Sequence, residues 1–149
     1  MRISAKEDYA VRAVLELALA DGEPLKREQI SAAQDIPIAF LQNILTELRH
    51  AEIVEAQRGR EGGFRLSRPA AQITVADVVR AVSGPLATVR GVRPQSVEYP
   101  PSAEPLKEVW VAVRANVRGV LEHVTLADLA AGRFRAPVKR LANDPDNWE

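Results

Sequence analysis

The chain has 149 residues, a length that fits one domain, or one domain with an appended arm, and that can bury a core without disulfides or metals. Its 20 basic and 20 acidic residues balance, which argues against a polybasic protein that coats nucleic acid indiscriminately. The sequence contains no cysteine, which excludes disulfides, thiolate-held zinc, cysteine nucleophiles and the usual ligands of iron–sulfur clusters. Acidic residues precede any apolar run at the N-terminus, and no stretch approaches the roughly 20 apolar residues of a membrane span, so we expect a cytoplasmic protein without a membrane partner.

The first predicted element is a mostly buried helix over residues 6–20, in which polar residues recur every four positions. Gly22 follows it in the usual place of a helix-ending glycine. A second, short helix is expected over residues 26–34, with Ile30 and Ala33 buried.

The third predicted helix starts at Pro37 and runs to about His50. Its apolar residues have the spacing of one buried helix face: Leu41, Ile44, Leu45 and Leu48. The opposite face carries small or uncharged side chains: Ala39, Gln42, Asn43 and Thr46. A carboxamide matches the hydrogen-bonding pattern of an adenine edge, so this face is typical of a helix that reads bases, although an ordinary solvated face is the alternative.

Two short alternating runs, residues 53–57 and 64–67, flank a glycine-rich turn and predict a β-hairpin. Gly62 and Gly63 allow the backbone to approach a surface closely. The hairpin region is basic, with Glu61 as the one acid between Arg58 and Arg68. Helix, turn, helix and hairpin is the order of a winged helix. In that arrangement Arg58 suits the minor groove, whereas Arg60 and Arg65 suit phosphates, and a plain charged hairpin is the alternative.

A capping box from Thr74 to Asp77 predicts a helix over residues 75–83, and a proline-rich loop over 84–104 follows. Residues in this loop that suit an anionic effector are Arg90, Arg93 and Tyr99, and a mobile solvated loop is the alternative.

Residues 105–124 carry an apolar stripe with spacings of four and three, which is typical of a helix that pairs with a second copy of itself. The stripe consists of Leu106, Trp110, Val113, Val117, Val120 and Val124. A short helix ending at Gly132 and a loosely held tail over 133–149 complete the chain. The prediction is therefore a mainly α chain with a small β-hairpin wing: a winged helix-turn-helix over 1–83, the loop over 84–104, and a dimerisation helix with a short following helix over 105–132.

Three motifs together resemble the Rrf-two (Rrf2) family of transcription regulators, which includes the IscR, NsrR and CymR types: RISAKEDYAVRA at residues 2–13, FLQNILTELR at 40–49 and RGREGGFRL at 58–66. The likeness continues through residues 73–82 and the Trp110 helix to 125–129, and so covers about residues 1–132.

The resemblance implies a homodimer on a palindromic DNA site, with the third helix in the major groove, a wing arginine in the minor groove and a long helix crossing to the partner. Base contacts then fall on Ala39, Gln42 and Asn43, and the minor-groove contact on Arg58. Many members hold an iron–sulfur cluster through three cysteines in the loop before the long helix, but this loop has none. Asp8 occupies the place of an acidic cluster ligand in some members, and one carboxylate cannot hold a cluster. Cluster-free members respond to small metabolites or a partner protein, some of them in sulfur metabolism.

We therefore expect a DNA-binding regulator, a repressor acting as a homodimer, with no cofactor and no metal, since His50 and His123 are too few for a metal cluster. The expected DNA contacts are Arg2, Ala39, Gln42, Asn43, Arg49, Arg58, Arg60, Gly62, Gly63 and Arg65. The expected effector residues are Asp8, Tyr9, Arg90, Arg93 and Tyr99. An enzyme is not expected, because the sequence shows no Ser/His/Asp grouping or phosphate-binding loop. A protein-binding adaptor built on the same winged helix is the other alternative.

Overall fold

The computed structural model of the chain describes residues 2–148, which contain seven α-helices and one small β-hairpin. The helices are α1 (Ala5–Leu19), α2 (Arg27–Gln34), α3 (Ile38–His50), α4 (Val75–Ser83), α5 (Leu106–Leu121), α6 (Leu126–Ala131) and α7 (Ala136–Ala142). The antiparallel strands are β1 (Val54–Gln57) and β2 (Gly63–Leu66), with Val54 opposite Leu66 and Gln57 opposite Gly63. The predicted fold, mainly α with a small β-hairpin wing, is confirmed.

Helix α1 is the centre of the core, in contact with α2, α3, α4, α6 and β2. Its buried face consists of Ala10, Ala13, Val14 and Leu17. Its start is fixed by a capping box, in which Ser4 and Glu7 satisfy each other's backbone N–H groups.

A tight turn joins α2 to α3. Asp35 adopts the left-handed conformation there, and the Ser31 hydroxyl donates to the Ile36 carbonyl at 2.6 Å. Ile30 is fully buried, as predicted. The prediction that Ala33 is buried is wrong: Ala33 is exposed, because only one face of this short helix meets the core.

The wing is attached to the segment before α2. The Leu25 N–H donates to the Phe64 carbonyl at 2.9 Å, and the Phe64 N–H donates back at 2.7 Å. Gly62 in the turn and Gly63 at the start of β2 are required by this packing. A Cβ on Gly62 would lie 2.1 Å from the Gln57 carbonyl oxygen, and one on Gly63 would lie 2.6 Å from that of Leu25. The close approach therefore involves the protein's own backbone.

Helix α6 returns to the N-terminal part of the chain. The Val75 N–H donates to the Val124 carbonyl, and the Leu126 N–H donates to the Ile73 carbonyl, both at 2.9 Å. The capping boxes predicted at Thr74 and Thr125 are both present. Helix α5 ends at Leu121 instead of reaching 124, and Val124 is only 7% exposed at this junction, so it lies outside the stripe.

The tail differs from the loosely held segment that was expected, because it contains α7. Val138 and Leu141 of α7 line one cavity with Gly119 and Val120 of α5. None of the helices within residues 2–148 is long and apolar enough to cross a membrane.

Candidate nucleic-acid interface

Helix α3 presents an uncharged, exposed face. Leu41, Ile44, Leu45 and Leu48 are buried, and Ala39, Gln42, Asn43 and Thr46 are exposed, as the spacing predicts. Phe40 at the start of this face is 53% exposed, and its ring meets Tyr9 edge-on with 6.1 Å between centroids. The face therefore offers amide and hydroxyl groups beside one large apolar side chain.

Gln42 is held by an arginine of the preceding helix. Arg27 Nη1 donates to Gln42 Oε1 at 3.0 Å, while Arg27 Nη2 lies 3.2 Å from Glu28 Oε1. A carboxamide has two N–H donors besides its acceptor oxygen, so this contact fixes the side chain and uses only its acceptor end. The spacing of residues along α3 does not predict this contact, because Arg27 lies 15 positions earlier in the chain.

A cleft of about 420 Å³ separates α3 from the wing. Its basic side chains are Lys26, Arg27 and Arg49, and Glu28 is the only acid among the described residues that line it. Gln42 and Thr46 form the α3 wall, and Gln57 with the glycines of the turn forms the wing wall. Sequence reasoning selected Arg49 but missed Lys26 and Arg27, which a positive run at the start of α2 could have indicated.

The four wing arginines have different environments. Arg58 and Arg60 are exposed at the tip, and neither forms an ion pair within the described part of the chain. Arg65 pairs with Glu55 across the hairpin, so a phosphate contact would require it to leave that carboxylate. Arg68 donates to the Glu52 carbonyl at 3.1 Å and lies 3.8 Å from Asp77. The uncompensated charge of the wing therefore lies at its tip.

Arg2 is exposed, but it lines a second cavity instead of the cleft between α3 and the wing. This cavity, of about 450 Å³, is formed by α1, α4, residues 84–88 and α5, and its lining is mostly apolar. Asp8 lies on its wall and pairs with Arg12 at 3.1 Å.

The five expected effector residues do not form one site. Tyr9 packs against Phe40 and lies under the Arg12 guanidinium, 5.4 Å from ring centroid to carbon. Arg90 lies over Tyr99 at 5.8 Å within the proline-rich loop. Arg93 faces a third cavity, which Arg80, Arg114 and Arg118 also line.

The apolar stripe of α5 is largely uncovered in the single chain. Leu106, Trp110 and Val113 are 38%, 36% and 39% exposed, and Val109, which the spacing did not include, is 52% exposed. Val117 and Val120 are half-buried.

The family profile of Rrf2, described as an iron-dependent transcriptional regulator, matches residues 3–132. The chain belongs to the Rrf2 family. It is 48% identical over 145 residues to Rv1287 of Mycobacterium tuberculosis, a protein named among the HTH-type transcriptional regulators; the match covers 97% of this chain and 90% of that one. The resemblance stated from the motifs is thus confirmed, and this Rrf2 protein is a transcription regulator.

Two solved structures of the family have the same fold. CymR of B. subtilis, described as its global cysteine regulator, superposes with a TM-score of 0.74 at 31% identity, covering 90% of this chain and 99% of CymR. IscR of T. potens superposes with a TM-score of 0.71 at 27% identity, covering 93% and 96% of the two chains.

The residues of this Rrf2 chain do not fit the iron that the family description implies. The sequence lacks cysteine altogether. Within the part of the chain that the structure describes, His, Asp and Glu side chains nowhere gather in a group of three that could hold a metal ion. Asp8 instead forms an ion pair with Arg12. No regulatory step of this protein is therefore assigned to iron.

Proposed function

We propose that this Rrf2 protein is a repressor that binds a palindromic operator as a homodimer and responds to a small metabolite or a partner protein rather than to an iron–sulfur cluster. The observation that carries the proposal is the uncharged, exposed face of α3 beside a wing whose tip arginines are unpaired within the described residues. One surface thus combines groups that suit base edges with charges that suit phosphates.

Helix α3 supplies the base contacts in this proposal. Asn43 offers a carboxamide that pairs with an adenine edge in the major groove, Gln42 offers the N–H donors that its contact with Arg27 leaves over, and Ala39 fits the methyl group of thymine. Arg27 holds the Gln42 side chain before DNA arrives, which reduces the entropy lost when a base contact forms.

The wing and the cleft supply the phosphate and minor-groove contacts. Arg58 suits a narrow, electronegative minor groove, whereas Arg60, Lys26 and Arg49 suit the sugar–phosphate backbone. Gly62 and Gly63 contribute indirectly, because they allow the hairpin to fold closely on itself and on Leu25.

The stripe of α5 supplies the dimer contact. Its exposed members Leu106, Val109, Trp110 and Val113 would be covered by a second copy of the helix, as apolar stripes of this spacing usually are. A twofold pair carries two α3 helices, which is the arrangement that a palindrome requires. Repression follows from occupancy alone, because a dimer bound across a promoter excludes other proteins from that DNA.

The salt dependence of binding tests this proposal. Fluorescence anisotropy on a labelled duplex of random sequence should show affinity falling steeply as salt rises from about 50 to 200 mM, because bound phosphates release counterions. Arg60→Ala should lower the slope of log affinity against log salt by about 0.9 for each phosphate that the variant no longer neutralises. The matched control is Arg140→Ala, which removes an exposed arginine from α7 and should leave the slope unchanged. Absence of DNA binding at low salt would indicate an adaptor whose partner is a protein, and equal slopes in both variants would contradict a phosphate contact by Arg60.

A further inference from the structure

Four arginines from three parts of the chain surround one cavity of about 730 Å³. Arg80 comes from α4, Arg93 from the loop before α5, and Arg114 and Arg118 from successive turns of α5. Gln95 and Ser96 add neutral polar groups to the wall. The volume lies in the range of small-molecule sites, and the cavity is separate from the cleft between α3 and the wing.

One carboxylate forms ion pairs with two of these arginines. Glu122 Oε1 accepts from Arg118 Nε at 2.9 Å and also from Arg80 Nη2. Arg114 and Arg93 have no acidic partner within the described part of the chain. Four positive charges against one negative charge leave a large uncompensated positive potential inside a concave site.

Arg114 is the residue that makes this arrangement unusual. It is only 9% exposed, and it is the one buried charged residue within the described part of the chain. Its Nη1 donates to the Leu86 carbonyl, which anchors the guanidinium but supplies no charge. Burial first, and then the charges of Arg118, Arg93 and Arg80, lower the pKa of Arg114. A buried cation surrounded by like charges destabilises the folded chain unless an anion joins it.

We propose that this arginine cavity is a binding site for a small tetrahedral oxyanion, namely a phosphate or sulfate group, free or carried by a metabolite. Guanidinium groups present paired N–H donors that match tetrahedral oxyanions and form charge-assisted hydrogen bonds with them. Such a ligand supplies the negative charge that Glu122 alone does not provide.

The position of the cavity gives the ligand a route to the DNA-binding surface. Helix α4 packs on α1 and α3 of the winged helix, whereas α5 carries the stripe, and the cavity lies between α4 and α5. An anion that contacts Arg80 and Arg114 together therefore fixes α4 relative to α5, and with it the separation of the two α3 helices in a dimer. This coupling rests on the proposed function, whereas the binding of the anion does not.

Isothermal titration calorimetry on the full chain without DNA tests the site. Inorganic phosphate and inorganic sulfate are titrated in separate arms, with acetate as a singly charged control and ionic strength held constant. We expect saturable binding of phosphate or sulfate at least about tenfold tighter than that of acetate. Saturation in the sulfate arm alone would identify a sulfate group as the ligand chemistry, and saturation in the phosphate arm alone would identify a phosphate group.

Arg93→Ala is the decisive variant, because Arg93 lies on an exposed loop and its removal leaves the core intact. It should weaken anion binding about tenfold or more, the loss expected for one charge-assisted hydrogen bond. Arg90→Ala is the matched control, an exposed arginine of the same loop that does not line the cavity, and it should stay within about twofold of the wild type. Absence of saturable binding in the phosphate and sulfate arms, or equal losses in the two variants, would overturn the site.

A second measurement separates the two proposals. DNA affinity of the wild type and of Arg93→Ala is compared with and without the anion that binds. The coupling predicts that the anion changes DNA affinity in the wild type more than in Arg93→Ala. DNA binding that ignores a bound anion would overturn the coupling alone, whereas anion binding by a chain that does not bind DNA would overturn the proposed function alone.

Discussion

Gln42 shows how a single side chain is prepared for recognition. A free glutamine on a helix surface samples several rotamers, and each one lost on binding lowers affinity. The 3.0 Å bond from Arg27 reduces that freedom in the free protein and leaves the amide N–H groups as donors.

Gln42→Ala should therefore relax base preference more than it weakens binding to random DNA. Losing a base contact of this kind costs about 1–3 kcal/mol on the preferred site, whereas phosphate contacts are unchanged. Competition binding with matched and mismatched duplexes measures both quantities. Asn116→Ala, an exposed amide on α5, is the control and should change neither. Equal losses on specific and random DNA would argue against base reading by Gln42.

Gly62 and Gly119 form a matched pair for stability. A Cβ at Gly62 would meet the Gln57 carbonyl at 2.1 Å, so Gly62→Ala should destabilise the fold by about 1–3 kcal/mol through strain in the wing. Gly119 lies within α5, and a Cβ added there would have no neighbour within 4 Å, so Gly119→Ala should stabilise the fold by about 0.5–1 kcal/mol through helix propensity. Urea denaturation measures both. Destabilisation by Gly119→Ala, or none by Gly62→Ala, would contradict this packing.

At the scale of elements, Glu122 joins α4 to the end of α5. Hydrogen bonds from Arg118 first, and then from Arg80, lower the pKa of Glu122 to about 2. An unfolded glutamate titrates near pH 4.3, so the unfolded chain takes up this proton before the folded chain does as the pH falls. The carboxylate therefore stabilises the fold fully above about pH 5, and this contribution is lost as the pH falls toward 2.

Glu122→Gln should flatten this acid dependence, since a carboxamide does not titrate. The free energy of unfolding, measured by urea denaturation at a series of pH values, should fall less between about pH 5 and 2 in the variant than in the wild type. Parallel curves for the two proteins would show that Glu122 does not link the helices in solution.

The proposed dimer contact on helix α5 can be tested by mutation. Val113 is 39% exposed on the stripe. A glutamate at this position would bury one carboxylate from each copy at a twofold contact, and neither carboxylate would have a positively charged partner. Val113→Glu should therefore shift the protein toward monomers and weaken operator binding, because each copy then binds alone. Light scattering gives the mass. Ala112→Glu, an exposed position off the stripe, should remain a dimer, and dimers of both variants would contradict the proposed interface.

For the molecule as a whole, the sequence could predict those features of the fold that depend on residues close together in the chain. The apolar spacing of Leu41 and Leu48 identified the outward face of α3, and the capping boxes at Thr74 and Thr125 identified two helix starts. The same reasoning wrongly assigned Val124 to the stripe. Val124 has the spacing of the stripe, but it follows the end of α5, where the chain turns into the core.

Contacts between distant residues were beyond that reasoning. The bridge between Leu25 and Phe64, the hold of Arg27 on Gln42 and the arginine cavity each join positions that no local spacing relates. Of the four arginines of the cavity, the sequence singled out only Arg93, and the group becomes a site only when α4 and α5 meet. The α7 helix was missed because its seven residues are too few to show a clear apolar period and a polar run, residues 143–147, follows them, although a proline in its first turn favours a helix start.

Selection of bound duplexes from a random DNA library is the sharpest test of whether two copies of the α3 and wing surface read one duplex. We expect an inverted repeat whose half-site centres lie about one helical turn, or a multiple of it, apart, because a twofold dimer places its recognition helices at that spacing. Enrichment of a motif without twofold symmetry, or of no motif at modest ionic strength, would contradict a paired recognition surface.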